Sequence, residues 1–202
     1  MAGWTDHRGT ALVLGLENVD TDQIIPARFM SVPRSEGCGR YLLHDRRRDE
    51  GGALRGDFPL NRHEGVSVLV AGRNFGTGSS REAAVYALVD AGIKAVVAPS
   101  FGDIFAGNAV NNGLLPAQVS EADHARLCAA LPGGVGPVAL SLEGCEIVAG
   151  ELRIRFALDE TACVKLRNGW DDIDLTLSHA ERIAAFRAAR LAGAGWVWPG
   201  AG

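Results

Sequence analysis

No two of the four cysteines, Cys38, Cys128, Cys145 and Cys163, are spaced Cys-x-x-Cys. A zinc site or iron–sulfur cluster held by this chain alone would need distant thiols to converge without a local clip. The four are therefore read as buried or incidental thiols, kept reduced in a cytosolic chain. An excess of basic charge is also missing. Twenty Lys and Arg stand against 24 Asp and Glu, a formal net charge of −4. This argues against nucleic acid as a partner, because phosphate binding is driven by basic surface. No stretch approaches the roughly 18 consecutive apolar residues of a membrane span. Residues 1–10 are polar, with Asp6, His7 and Arg8, and lack the basic start and apolar run of a secretory signal. The expectation is a cytoplasmic protein that uses neither nucleic acid nor membrane.

What is present fits an ordinary globular domain. The 202 residues are 47% apolar and 22% charged, enough to bury a core without disulfides or metal. Residues 1–192 read as one domain, with 193–202 a glycine-rich, flexible tail. The apolar run Thr10 to Gly15 suits a strand, and residues 17–26 a loop leaving it. Residues 31–63 hold many charges and glycines with no sustained period. They read as a long surface loop with one helical turn near Tyr41 to Asp45, and the arginine run Arg46 to Arg48 as a solvated face.

The centre is the most regular part. Val66 to Ala71 is a buried, β-branched strand. A glycine-rich turn, Gly72 to Gly78, precedes a helix over Ser79 to Ala91 that Gly92 closes. Ile93 to Ala98 is a second buried strand. Strand, helix and strand in about thirty residues make a βαβ unit with parallel strands, hence an α/β fold. Helices follow over Phe101 to Asn111 and, capped by Ser120, over Glu121 to Leu131. Strands at Val138 to Leu142, Cys145 to Val148 and Leu152 to Ala157, with turns at Gly144 and Gly150, form an antiparallel meander. A last helix starts at Ser178 with Glu181 as a capping box.

Gly72-Arg73-Asn74-Phe75-Gly76-Thr77-Gly78-Ser79-Ser80-Arg81-Glu82 lies between the end of a buried strand and a helix start. Ligands of parallel sheets favour that edge, and a helix N-terminus favours anions. The segment lacks the third glycine of a dinucleotide fingerprint, the lysine of a phosphate loop, and the Gly-x-Ser-x-Gly of a hydrolase elbow. A purely structural account competes: Ser79 and Glu82 as a capping box, with Ser80 and Arg81 exposed. An arginine in the first turn opposes the helix dipole, which points to a ligand or an acid facing Arg81.

Asn74 to Glu82 resembles the Asn-Phe-Gly-Cys-Gly-Ser-Ser-Arg-Glu signature of isopropylmalate dehydratase small subunits. Val19-Asp20-Thr21-Asp22-Gln23-Ile24-Ile25-Pro26-Ala27-Arg28-Phe29 resembles a second signature of that family. Ala98 to Phe105, followed by Asn111-Asn112-Gly113-Leu114-Leu115-Pro116, resembles a third. The resemblance runs from about Gly9 to Ala192. It implies the swivelling β/β/α three-layer domain of the aconitase superfamily. It also implies a large partner subunit carrying a [4Fe–4S] cluster, with no cofactor on this chain. The implied reaction isomerises 2-isopropylmalate and 3-isopropylmalate by dehydration and rehydration in leucine synthesis. The partner's iron would act as Lewis acid.

By the same resemblance Ser79 is the base, as an alkoxide. Arg81 grips a substrate carboxylate bidentately, Ser80 donates to the same region, and Asp22 orients a histidine of the large subunit. On loop statistics alone Asp22 reads equally well as a turn-capping aspartate. The family's substrate-selecting loop corresponds to Pro26 to Leu43, where Arg28 and Arg34 are candidate carboxylate contacts. Phe29, Met30 and Val32 are candidate apolar lining. Two departures stand out. Thr77 replaces the signature's cysteine, and Ala83, Val85 and Tyr86 replace a histidine, proline and tryptophan. Two alternatives stay open at this point: a paralogue acting on another hydroxy diacid, of methylmalate/citraconate or homoaconitate type, and a non-catalytic anion-binding domain of the same fold.

Overall fold

The computed structural model describes residues 2–194 and Trp196; most of the expected flexible tail lies outside the described residues. The elements run β1 (Asp6–Val13), α1 (Thr21–Ile24), α2 (His44–Arg47), α3 (Pro59–Arg62), β2 (Val66–Val70), α4 (Glu82–Asp90), β3 (Ala95–Ala98), α5 (Asp103–Asn111), β4 (Leu115–Gln118), α6 (Glu121–Ala129), β5 (Val135–Ser141), β6 (Glu146–Ala149), β7 (Leu152–Arg155), α7 (Glu160–Asn168), α8 (Asp172–Leu177) and α9 (Ala180–Gly193).

The strands form one seven-stranded sheet in the order β4-β3-β2-β1-β5-β6-β7. The half β4-β3-β2-β1 is parallel, and β5, β6 and β7 add antiparallel. Beyond the named strands, Ala157 N–H donates to Gln118 O at 2.7 Å. The run after β7 thus meets the end of β4, and the sheet curls until its two edges touch. Closure of this kind removes exposed strand edges.

Alternation along the strands sorts side chains into two cores. Ala11, Val68, Val70, Ala95, Val97, Leu115, Val138, Leu140, Ile147 and Ile154 fill the inside of the curl. Leu12, Leu14, Val66, Leu69, Val96 and Ala98 face outward and pack under Ala84, Val85, Leu88 and Phe105 of α4 and α5. Two facing walls of sheet and one layer of helices give the β/β/α arrangement. The βαβ expectation holds, since β2 and β3 pair in parallel from Val68↔Ala95 to Val70↔Val97.

Several local expectations need correction. α4 begins at Glu82, not Ser79: its N-cap is Arg81, with extended φ −124° and ψ 102° and no side-chain cap bond. Backbone bonds across the turn hold residues 77–80 open, so the Ser79–Glu82 capping box does not form. Ser178 does not start the last helix but closes α8, its N–H donating to Asp174 O, and α9 begins after His179 without a side-chain cap. The real capping box is Asp171 with Asp174. Helices α7 and α8 have no counterpart in the sequence reading, although Asp159 caps α7 in the ordinary way, accepting from Ala162 N.

Residues 31–63 do lack long elements, yet they are tied down. Cys38, Leu42 and Leu43 are buried. Arg47, expected to be solvated, donates from Nε to Asn61 Oδ1 at 2.8 Å and so holds α3. No helix among the described residues is long and apolar enough to cross a membrane.

Leu69 is fully buried where β2 meets the helix layer. Leu69→Ala is expected to cost about 2–5 kcal/mol, the usual range for a core leucine. Urea unfolding should show a lower midpoint at unchanged slope, and an unmoved midpoint would contradict this packing.

Candidate active site

Three stretches far apart in sequence meet at one end of the parallel strands. Thr77 bridges Asp20, and Phe75 bridges Phe101, both in parallel. Gly76 N–H donates to Val19 O at 2.7 Å and Thr21 N–H to Thr77 O at 2.9 Å. Phe75 N–H donates to Ser100 O at 3.1 Å, and Gly102 N–H to Phe75 O at 3.0 Å. Asn74 adds side-chain ties, its Nδ2 donating to Asn18 Oδ1 at 2.7 Å and its backbone N–H to Ser100 Oγ at 2.8 Å.

Glycine is required at two of these positions. A Cβ on Gly76, whose φ is +74°, would lie 2.2 Å from the Phe105 ring. A Cβ on Gly102 would lie 2.6 Å from Gly76 O. No side chain fits either gap.

The turn so fixed opens into a cleft of about 220 Å³, lined in part by Thr21, Thr77, Ser79, Ser80, Arg81 and Asp103. Buried Thr21 donates from Oγ1 to Ser79 O at 2.9 Å. This bond places the Ser79 backbone while its side chain stays exposed. Among the described residues, no backbone bond takes the N–H groups of Ser79 to Ala83. These are the free first-turn donors that favour an anion.

Arg81 pairs through Nη1 with Asp22 Oδ1. The arginine side chain is 17% exposed and the aspartate 52%. Among the described residues, neither Nε nor Nη2 of Arg81 has a hydrogen-bonding partner. These two nitrogens are the pair a planar guanidinium uses to hold a carboxylate side-on.

The structure therefore brings Ser79, Ser80, Arg81 and Asp22 together. Arg28 and Arg34 do not line the cleft. Arg28 Nη1 donates to Asp45 Oδ2 at 2.9 Å and lies over the Phe29 ring. Arg34 stacks 3.5 Å over the Tyr86 ring and reaches Asn112 Oδ1 at 3.3 Å. Phe29 stacks on Tyr41 with ring centroids 4.1 Å apart. Residues the sequence reading passed over include Thr21 and Phe105. An invariable signal for them was absent, because each acts through a partner distant in sequence. Ala83, Val85 and Tyr86, the departures in α4, also lie outside the cleft lining.

All four cysteines are free thiols. Among the described residues, no group of three or more His, Cys, Asp and Glu is placed to hold a metal ion.

Comparison with known proteins bears on the family and the fold. The model of the aconitase C-terminal domain family matches residues 1–122. The 3-isopropylmalate dehydratase small subunit of Shewanella baltica (strain OS185) is 43% identical over 192 residues, 92% of this chain and 96% of that protein. Its namesake in Shewanella oneidensis is 42% identical over 194 residues, covering 93% and 96%. The crystal structure of a 3-isopropylmalate dehydratase from Methanocaldococcus jannaschii superposes with a TM-score of 0.64 at 30% identity, covering 90% of this chain and 99% of that one.

The Arg28 pairing has a titratable consequence. Its bond, with help from His44, holds the Asp45 carboxyl at about 2. A depressed carboxylate stabilises the fold above its unfolded value near 4 and loses that contribution as pH falls towards about 2. The contribution is small, because the pair is solvent-exposed. In Arg28→Ala the Asp45 carboxyl should titrate nearer the ordinary carboxylate range, followed by NMR of its side-chain carbon. A titration unchanged from the parent would show that Arg28 is not its partner.

Proposed function

The chain belongs to the family of 3-isopropylmalate dehydratase small subunits, which carries the aconitase C-terminal domain, and from that premise we propose that it isomerises 2-isopropylmalate and 3-isopropylmalate as one half of a two-chain hydro-lyase in leucine biosynthesis. The observation that carries this reading is that Ser79, Ser80 and Arg81 line one cleft while Asp22, from a separate sequence block, pairs with Arg81 at it. The other half is a large subunit bearing a [4Fe–4S] cluster. The residues of this chain do not fit such a cluster, as its thiols are dispersed and no metal-holding group forms among the described residues. The proposed setting is the cytoplasm.

Each turnover removes a proton from a carbon beside a carboxylate and a hydroxide from its neighbour, then returns both in swapped positions. This chain supplies the proton side. Ser79, held by Thr21 yet free at its hydroxyl, takes the proton as an alkoxide. A free serine is far too weak an acid for that role. First-turn N–H donors and the adjacent guanidinium lower the cost by stabilising negative charge. Arg81 grips a substrate carboxylate with Nε and Nη2 while Asp22 holds its Nη1. Asp22 thereby aims the guanidinium, and its second oxygen is left for the expected histidine of the partner. Ser80, exposed beside them, donates to the same anion.

The substitutions in α4 do not bear on the reaction, because Val85 is buried and Ala83 and Tyr86 stand outside the cleft. A change of substrate is accordingly not needed to account for them.

Ser79→Ala should lose at least about a thousandfold in turnover, the scale of removing an activated base or a site donor. Its stability should change by less than about 0.5 kcal/mol, since the side chain is exposed and caps no helix. Parental rates from this variant, assayed anaerobically with the cluster-loaded large subunit, would remove Ser79 from the base role. Arg81→Lys should raise KM and lower kcat together, because a lysine cannot make the paired contact. Unchanged values of both would show that Arg81 does not touch substrate. Failure of the parental pair to turn over isopropylmalate would overturn the function itself.

A further inference from the structure

The Asn-Asn-Gly stretch after α5 has no role in the site as described. Asn112 nevertheless sits where three elements meet. Its Nδ2 donates to Glu82 Oε1 at 2.8 Å, and its Oδ1 accepts from Arg34 Nη1 at 3.3 Å. Its Nδ2 also reaches Asn108 O at 2.9 Å, which fixes which end of the amide is which. Glu82 is the first residue of α4 and follows Arg81 directly. Arg34 belongs to the loop after α1.

That loop is fastened to α4 along the helix's length. Arg34 stacks on Tyr86 and lies 4.0 Å from Asp90. Cys38 N–H donates to Asp90 Oδ2 at 2.8 Å. A Cβ on Gly39 would meet Asp90 backbone at 2.6 Å, so the loop lies against the end of the helix. The Tyr86 hydroxyl is pushed to higher pKa by burial and by the Glu82 carboxylate beside it. These fastenings join the loop to α4 directly, and Leu43 N–H ties its end to Ile24 O of α1 at 2.8 Å. The amide of Asn112 instead links Arg34 in the loop to Glu82 at the helix start through a third element.

We propose that Asn112 is a positioning residue, whose amide sets the loop bearing Arg34 relative to the first turn of α4 and thereby the placement of Arg81. It touches no substrate and acts through Glu82 and Arg34. This rests on the function proposed above only for its kinetic consequence; the coupling itself is a property of the chain.

Asn112→Asp tests it with little change of shape. The aspartate keeps an acceptor for Arg34 but sets an oxygen against the Glu82 carboxylate, where like charges repel. Hydrogen exchange of the isolated chain should show about tenfold loss of protection in both 34–41 and 84–86, a usual scale for residues in one hydrogen-bond network. Adding Glu82→Gln supplies an amide donor to the new carboxylate and should return both segments to parental protection.

In the active pair, Asn112→Asp should raise KM about tenfold with kcat within about twofold, and the double variant should restore KM. Unchanged protection in either segment, or no rescue by the double variant, overturns the proposal. Should Asn112→Asp fail to fold, Glu82→Ala alone, which removes the acceptor for Asn112 Nδ2, must loosen the loop at 34–41, and an unchanged loop there overturns it equally. Parental pairs without turnover would count against the function alone, because the exchange result is decided without activity.

Discussion

The site depends on how closely three backbones approach one another around Gly76. That residue donates to Val19, lies under the Phe105 ring, and leaves room at its carbonyl only for Gly102. Its left-handed φ turns the chain at the end of β2, so that Thr77 can pair with Asp20 instead of entering the helix. Everything functional follows from that delay. Had α4 begun at Ser79, the serine would have capped it and spent its hydroxyl on a backbone N–H. Beginning at Glu82, the helix leaves Ser79 and Ser80 outside it and Arg81 extended, with unused donors and an uncommitted hydroxyl.

Charge is managed by the same economy of partners. Arg28 and Arg34 are engaged by Asp45 and by Tyr86 with Asn112, and Arg73 pairs with Glu17 at 3.2 Å. Arg81 differs in being mostly buried and in using a single acceptor, Asp22. A buried cation with remaining donors is costly unless something completes its shell. A carboxylate ligand does so, and a chain of net negative charge then presents one well-defined positive site for a diacid.

Much of this was legible in sequence, and the reasons are local. Val66 to Ala71 and Ile93 to Ala98 could be read as strands because continuous β-branched runs leave no helical alternative. Ser120 announced α6 because its cap is satisfied within three residues. The Ser79–Glu82 spacing misled for a physical reason: a capping box requires only two local residues, whereas its rejection came from Val19 and Thr21, more than fifty positions away. Asp159 and Asp171 obeyed the capping rule, but their helices are short and rich in polar residues, α7 burying only Ala162 and Leu166 as apolar side chains. The roles of Arg28 and Arg34 were beyond local reading altogether, since Asp45 and Asn112 become their neighbours only after folding. Curling of the sheet was equally hidden. Its closing bond, Ala157 to Gln118, joins two residues that each look like the end of an element.

The dimensions of the cleft bear on why a second chain belongs to the proposed reaction. A space of about 220 Å³ falls below the roughly 300 Å³ at which small-molecule sites begin. Ser79 and Ser80 stand exposed at its mouth. An alkoxide in contact with bulk water would be protonated at once, and the helix-start donors would be shared with solvent. A reaction that makes and consumes water gains from a wall that excludes the rest of it. This chain supplies a rigid floor with one cation, a serine and a fan of N–H groups, all on a single face. Among the described residues, none of those lining the cleft is placed to bind a departing hydroxide through a metal ion. Proton removal and hydroxide loss must occur on adjacent carbons of a bound diacid, so the missing half has to approach from the open side of the cleft. In the proposed reaction a large subunit would then lie over Ser79 and Arg81, and the rigidity of the floor would be the main contribution of this fold.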